Sequence, residues 1–335
     1  MTTTITVTAA TGAQGSSVLN AYLSHPSPSP SPSTKLRGIT RNPTSSTALS
    51  LAARGVEIVS ANLDDEESLV AAFDGSTHIF GLTNFFEPFL GNMADSNAAA
   101  KAVAIETRQG LNIAHAAAKT GTLKHLVWST LANVAQISGG EWSVPHMDSK
   151  NAVDAAILAD DGLRRKTTFL WVGAYGNNFA YPGMTPTWIE SAAKYVQLHP
   201  VAPDTPIDML GATTPNLGIF VIAVFEQPQL TLPSDKNPRS KFVNASMEKT
   251  TVEKMLQLWT KATDKEAVYV QIGAEQMERI WGTWGRKLDL MLGCFDRYRE
   301  KAMTVRDGKV LGMEELGVGE GLVNTEEVVR IMRSD

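Results

Sequence analysis

Short apolar segments alternate with helical segments five times in the first 173 residues, and this alternation restricts the fold more than any other feature. Several apolar segments lack a clean apolar–polar alternation, as expected for strands buried on both faces of a parallel sheet. We therefore predict an α/β fold of the Rossmann type with a doubly wound parallel sheet. The predicted strands cover 5–10, 35–40, 56–63, 77–83, 123–130 and 167–173, and the predicted helices 15–24, 45–55, 65–75 and 101–121.

The alternation ends after residue 178, where a second region of different character begins. Its segments are Pro-rich stretches at 181–188 and 199–206, a helix at 213–228 that returns to the sheet, and amphipathic helices at 251–265 and 275–302. We expect two domains. They are a Rossmann domain over 1–178, rejoined by about 207–246, and a smaller, mostly C-terminal lobe over 179–206 and 247–335 that covers the substrate.

Composition excludes several classes of protein. A net charge of −5 favours neither nucleic acid nor a membrane surface as a partner. The single cysteine, Cys294, allows no intramolecular disulfide and argues against a structural zinc site, so no metal is expected. No apolar run is long enough to span a bilayer and the N-terminus is unlike a signal peptide, so we expect a cytoplasmic protein. The Ser-Pro repeat at 25–34 predicts a polar surface loop.

The segment VTAATGAQGSSV at 7–18 predicts a dinucleotide-binding turn. A strand, a turn with Gly12 and Gly15, and a helix would set a pyrophosphate on the helix N-terminus. Gly12 would let the backbone approach the phosphates, and Gly15 would let the helix pack against the strand. Ala9 replaces the first glycine of the usual pattern, which is tolerable if its φ is negative. Two glycines alone are weak evidence, and the strand–turn–helix context carries the interpretation.

The end of the second predicted strand indicates which dinucleotide binds. NAD-binding proteins usually carry an acidic residue there for the ribose diol. Here the residues are Thr40, Arg41, Asn42 and Pro43, with no acid among them. Arg41 can bind a 2′-phosphate, so NADP(H) is favoured over NAD(H). The alternative is that Arg41 is a solvated surface residue.

Several motifs together resemble the NmrA-like family, an atypical branch of the short-chain dehydrogenase/reductase superfamily. The sequence is most similar in character to the family's fungal members. The motifs occur in the family's order and cover residues 5–179, with a looser fit beyond. The segments are AATGAQGSSV, GITRNP, GVEIVSANLDD, LTNFFEPF, ETRQGLNIAHAAAKTG, LKHLVWSTLANV, VPHMDSK and TFLWVGAYGNNF.

The resemblance implies a set of NADP(H) contacts, residue by residue. The phosphate loop would be Thr11, Gly12, Ala13, Gln14 and Gly15. Arg41 would bind the 2′-phosphate, and Arg108 lies where members often have a basic residue that can reach the cofactor. The remaining implied contacts are Asn62 and Leu63 at the adenine, Thr83, Asn84 and Phe85 along the pyrophosphate and nicotinamide ribose, Lys150 at that ribose, and Tyr175, Asn177 and Asn178 at the nicotinamide end.

The chain departs from the superfamily at the catalytic motif. Working reductases carry Tyr-x-x-x-Lys on a helix, where the lysine lowers the tyrosine pKa and the phenol delivers a proton. Here Lys150 is present and His146 replaces the tyrosine. Ser129 and Thr130 stand where the superfamily's substrate-orienting hydroxyl falls. His146 is either a proton donor, since imidazole titrates near neutrality, or a structural residue beside the cofactor.

Three functions stay open from the sequence. The first is an NADPH-dependent oxidoreductase acting on a bulky aromatic or polycyclic small molecule in fungal secondary metabolism, with Phe86, Trp142 and Tyr175 as the substrate pocket. The second is a non-catalytic NADP(H) sensor, for which a protein partner is expected. The third uses the pocket for cyclisation or rearrangement with the cofactor as a helper.

Overall fold

The structure is a computed structural model that describes residues 2–24, 34–306 and 308–334. The predicted Ser-Pro loop at 25–34 lies outside the described residues, except for Thr34, which begins a strand. Along the described chain, no helix is both long and apolar enough to cross a membrane.

Within the described residues, eight parallel strands form one large sheet, which confirms the predicted Rossmann-type fold. The strand order is β14-β11-β6-β5-β4-β1-β2-β3, so the chain reverses direction across the sheet between β1 and β4. The strands are β1 Thr3–Val7, β2 Thr34–Thr40, β3 Glu57–Ser60, β4 His78–Gly81, β5 His125–Thr130, β6 Thr167–Val172, β11 Lys241–Ala245 and β14 Val310–Leu311.

Helices cover both faces of the sheet. On one face, α1 and α9 pack Val18, Leu19 and Phe220 against the sheet, and on the other α3, α5 and α7 bury Phe73, Ile113 and their neighbours. The helices are α1 Ala13–Ser24, α2 Ser46–Ala53, α3 Glu66–Phe73, α4 Phe86–Leu90, α5 Ala98–Lys119, α6 Val134–Ser138, α7 Pro145–Ala159, α8 Asp161–Arg164, α9 Thr213–Glu226, α10 Pro228–Thr231, α11 Val252–Thr263, α12 Ala274–Tyr298, α13 Met313–Leu316 and α14 Thr325–Ser334.

In the part of the chain that the structure describes, two small sheets and the helices α11, α12 and α14 lie at the carboxyl edge of the large sheet. One apolar cluster joins these helices to the segment after β4. It contains Met255, Trp284 and Leu288 from the helices, and Phe85 and Phe89 at α4. The small sheets are β12-β10-β7 and β13-β9-β8, with β7 Ala174–Tyr175, β8 Thr187–Ile189, β9 Lys194–His199, β10 Pro206–Gly211, β12 Glu248–Thr251 and β13 Ala267–Gln271.

The predicted division into two domains stays a prediction. The C-terminal segment does not remain entirely apart from the large sheet, because β14 pairs with β11 at its edge. Neither of these strands was predicted. β14 has only two residues, and Asn244 interrupts the apolar character of β11.

Candidate active site

A cavity of about 1520 Å³ opens at the carboxyl ends of the central strands. The lobe residues Trp284 and Lys287 also line it, next to Phe86. The predicted site residues that line it are Gly12, Ala13, Gln14, Thr83, Asn84, Phe85, Phe86, Ser129, Thr130, His146, Lys150, Tyr175 and Asn178. Those outside its lining are Thr11, Gly15, Arg41, Asn62, Leu63, Arg108, Trp142 and Asn177.

The glycine turn brings the start of α1 against the end of β1. A Cβ at Gly15 would lie 2.4 Å from the Ala9 carbonyl oxygen, so only glycine fits there. At Gly12 the same distance would be 3.3 Å, and the residue borders the cavity. The first amides of α1 have no acceptor within the helix, so they can bind an anion from the cavity side.

Ala9 corrects one expectation about this turn. Its φ is +45°, whereas the sequence interpretation required a negative value. The left-handed conformation costs an alanine roughly 1–2 kcal/mol. The chain adopts it because the Gly12 amide hydrogen-bonds to the Ala9 carbonyl at 2.9 Å and closes the turn.

We expect Ala9→Gly to raise the free energy of unfolding by about 0.5–1 kcal/mol, because relief of the strain exceeds the added entropy of the unfolded chain. Urea denaturation without ligand measures the change. Ala52→Gly, at an exposed helical position with ordinary φ, is the control and should lose about 1 kcal/mol. A loss in Ala9→Gly equal to that of the control would show that the turn is unstrained.

Lys150 is buried in a polar network at the cavity wall. Its ammonium lies 2.9 Å from the Glu106 carboxylate and 3.0 Å from the Thr83 hydroxyl, which itself donates to Glu106. The Ser149 hydroxyl donates to the other Glu106 oxygen. The network fixes the position of the ammonium, and the fully buried Glu106 balances its charge.

The hydroxyls of Ser129 and Thr130 both donate to protein acceptors. Thr130 donates to Asp154 at 2.8 Å, and Ser129 donates to Gln14 at 2.8 Å. The Gln14 amide then donates to the Tyr175 hydroxyl at 2.7 Å. Burial raises the pKa of Asp154 to about 7, so this carboxyl can hold or release a proton near neutral pH.

His146 lies in the cavity wall beside the rings of Phe85 and Phe86, at ring-centroid distances of 5.9 and 5.8 Å. Burial, and then the nearby charges of Lys287 and Lys150, hold its pKa well below the usual range. Its Nδ1 is buried without a hydrogen-bond partner among the described residues. The imidazole is therefore uncharged at neutral pH, which disfavours the role of a cationic proton donor.

Trp142 is not part of the cavity lining, in contrast to its predicted place in the substrate pocket. The prediction assumed helical spacing from His146, but α7 begins only at Pro145. The indole of Trp142 instead donates to the Leu290 carbonyl at 2.9 Å and packs edge-on against Tyr298.

Two of the predicted cationic contacts are paired on the surface. Arg41 contacts Glu87 at 2.6 Å, and both side chains are more than half exposed. Arg108 contacts Asp64 at 2.6 Å, just beyond Asn62 and Leu63. Arg41 remains at the end of β2, where a 2′-phosphate would compete with the Glu87 carboxylate for it.

Three buried ionisable residues of this site were not predicted. Glu106 and Asp154 lie on α5 and α7, and Lys287 lies on α12 with its side chain at the cavity. The sequence held a signal for Glu106, because this acidic residue, the first of the quoted ETRQG segment, lies on the apolar face of its helix. No comparable signal distinguished Lys287 from the other basic residues of its amphipathic helix.

The fold and the cavity together define a Rossmann-type protein with its site at the carboxyl edge of the sheet. The sequence model of the NmrA-like family matches residues 1–309, and the chain belongs to that family, as predicted. The chain is 35% identical over 173 residues to the "NmrA-like family domain-containing oxidoreductase notA" of Aspergillus sp. (strain MF297-2). That match covers 51% of this chain and less than half, 46%, of the relative.

Two solved structures share the fold at low sequence identity. NmrA, a negative transcriptional regulator solved in complex with NADP, has a TM-score of 0.70 at 19% identity and covers 98% of this chain and 94% of its own. Citrobacter triphenylmethane reductase, solved with NADP(H), has a TM-score of 0.65 at 15% identity, with coverages of 98% and 99%.

Proposed function

We propose that this protein is an NADP(H)-dependent oxidoreductase that acts on a bulky, flat aromatic or polycyclic small molecule. The observation that carries the proposal is the cavity, whose volume of about 1520 Å³ is bordered by the glycine turn, Lys150 and an aromatic wall. Sites for one small ligand usually measure about 300–1,000 Å³. This cavity has room for a dinucleotide and a second molecule together.

The residues at the glycine turn fit a dinucleotide. The space left by the missing Cβ of Gly12 and the free amides of α1 suit a pyrophosphate. Thr11, Ala13, Gln14 and Gly15 complete the proposed phosphate loop. The other residues proposed to hold NADP(H) are Arg41, Asn62, Leu63, Thr83, Asn84, Phe85, Arg108, Lys150, Tyr175, Asn177 and Asn178.

When bound, NADPH would supply a hydride, and the chain's own residues would orient the reactants and move the proton. Lys150, fixed by Glu106 and Thr83, would hold the nicotinamide ribose. The pair of Thr130 and Asp154 can exchange a proton at the cavity wall near neutral pH, a task that tyrosine performs in other reductases. Ser129 would orient the substrate once its hydroxyl leaves Gln14.

The aromatic wall supports the substrate class. The rings of Phe86 and Trp284 pack with their centroids 6.2 Å apart, and on the lobe side the rings of Tyr181 and Trp284 pack with their centroids 5.6 Å apart. Flat apolar ligands pack well against a wall of such rings. The relatives named as oxidoreductases come from fungi such as Aspergillus, which supports a place in fungal secondary metabolism. Reduction coupled to cyclisation would use the same wall to fold the substrate.

Consumption of NADPH in the presence of flat aromatic carbonyl compounds tests the proposal, with mass spectrometry of the products. Sensing of NADP(H) without turnover is a second candidate, favoured by the replacement of tyrosine with His146, which stays uncharged. A sensor binds NADPH and converts no compound, whereas an oxidoreductase oxidises NADPH in step with product formation.

We expect Arg41→Ala to weaken NADPH binding by about tenfold or more and to leave NADH binding nearly unchanged. The variant loses a charge-assisted contact to the 2′-phosphate, worth roughly 1.5–3 kcal/mol. Calorimetric titration with both cofactors measures the effect. Arg165→Ala is the control, because Arg165 precedes β6, at the amino end of the strand and outside the cavity lining, and pairs with Asp161. Equal affinity of the unmodified protein for NADPH and NADH would contradict the assignment.

A further inference from the structure

Lys287 is a buried cation in the lobe wall of the cavity. It lies on α12 beyond Gly282, whose φ of +59° interrupts the helix. The second half of the helix thereby turns Trp284, Lys287 and Leu288 inward, and Lys287 is only 6% exposed. A lysine at such a position needs an explanation, because long charged side chains normally keep their ends in water.

Among the described residues, none supplies a counter-ion to the Lys287 ammonium. Its Nζ lies 4.7 Å from the Phe86 ring centroid, 5.2 Å from that of Trp284 and 3.9 Å from the Met291 sulfur. Within the described ranges, no carboxylate lies within 4 Å of it. Lys150, in the same cavity, has the Glu106 carboxylate as its counter-ion. Lys287 has no such counter-ion among the described residues.

Burial without a counter-ion has a measurable consequence for Lys287. It lowers the pKa of the ammonium to about 7. The aromatic faces of Phe86 and Trp284 attract the cation and explain its position, but they replace neither the hydrogen bonds nor the counter-charge that an ammonium has in water. A negatively charged ligand atom in the cavity would supply both.

His146 presents a second unsatisfied group on the same wall. Its ring lies 5.8 Å from that of Phe86, the ring over which Lys287 sits, and its Nδ1 has no partner among the described residues. A buried polar atom left unpaired is costly unless a ligand or water pairs with it. The Nδ1 atom has almost no accessible surface, so the Lys287 ammonium, and not His146, is the group that a ligand in the cavity would contact.

We propose that Lys287 binds an anionic oxygen of a flat aromatic ligand, namely a carboxylate, phenolate or enolate. The ring of the ligand packs on the wall formed by Phe86, Tyr181 and Trp284, and its oxygen accepts hydrogen bonds from the ammonium. The inference rests on the proposed function, since it names the substrate class of the same cavity. It makes Lys287 the residue that selects acidic aromatic substrates over neutral ones.

The test compares 2-naphthoate with its neutral analogue 2-naphthamide. Calorimetry measures their dissociation constants with the protein alone and with the protein saturated in NADP+. We expect the unmodified protein to bind naphthoate at least about tenfold more tightly than naphthamide, as for a charge-assisted contact. Lys287→Met should remove this preference and leave naphthamide binding unchanged. Lys301→Met, an exposed lysine of the same lobe, should behave as the unmodified protein.

Protection from chemical labelling gives a readout that needs no variant. Naphthoate, and not naphthamide, should slow acetylation of Lys287 by acetic anhydride, measured by peptide mass spectrometry. The inference would be overturned by equal affinity for the two ligands or by no measurable binding of naphthoate at millimolar concentration. It would also be overturned if Lys287→Met lowered the affinity for both ligands equally. Failure of NADP+ to bind would instead contradict the proposed function, and the anion preference is still measured on the protein alone.

Discussion

Gly12→Val is expected to lower the affinity for NADPH by at least about a hundredfold while the protein stays folded. Gly12 borders the cavity at the start of α1, and its Cβ would stand 3.3 Å from the Ala9 carbonyl oxygen. A branched side chain there would occupy the path of the pyrophosphate. Loss of two charge-assisted hydrogen bonds, each worth roughly 1.5–3 kcal/mol, corresponds to a change of that size. Calorimetry with NADPH measures the affinity.

Two other glycines provide the comparison for this variant. Gly15→Val should unfold the protein, because its Cβ would lie 2.4 Å from the Ala9 carbonyl oxygen inside the packed turn. Gly121→Val should affect neither property, because a Cβ at Gly121 meets nothing within 4 Å. Circular dichroism establishes which variants are folded. Normal NADPH binding by a folded Gly12→Val would show that the turn at 7–18 does not hold a dinucleotide.

Lys150→Met is expected to lower turnover by about 10²–10⁴ and to weaken NADPH binding. The ammonium at the cavity wall would orient the ribose and stabilise the charge that develops during reduction, an effect of the size found for such groups. The variant also leaves the buried Glu106 carboxylate without its partner at 2.9 Å, which destabilises the fold by roughly 3–5 kcal/mol. Turnover and thermal unfolding are both measured.

A double variant separates catalysis from stability at this position. Lys150→Met with Glu106→Gln removes both charges of the buried pair, so much of the lost stability should return. Turnover should stay low, because the ammonium is still absent. Recovery of turnover along with stability in the double variant would mean that Lys150 serves the fold alone.

The sequence predicted the central strands well because each is buried on both faces, and the resulting apolar runs depend on local sequence alone. Boundaries were less accurate. The third strand ends at Ser60 rather than at residue 63, because Asn62 accepts a hydrogen bond from the Asp64 amide and starts a turn. Such side-chain turns compete with the sheet ladder and leave little trace in the hydrophobic pattern.

The polar residues of the site could be predicted from the sequence only where they belong to one short motif. Lys150 and His146 lie within one helix, so their spacing indicated a shared wall. Glu106 and Lys287 approach that wall from elements far apart in the chain, and only the packing of α5 and α12 brings them there. The inward turn of Lys287 depends on the interruption at Gly282, which amphipathic periodicity does not reveal.

A crystal structure of the protein with NADP+ tests the central claim most directly. We predict the pyrophosphate at the amides of α1, Lys150 on the nicotinamide ribose, and C4 of the nicotinamide facing open space beside Phe86 and Trp284. That space must be large enough for a second, flat molecule. A nicotinamide ring covered by these side chains, with no room beside C4, would contradict an oxidoreductase and favour a sensor of NADP(H).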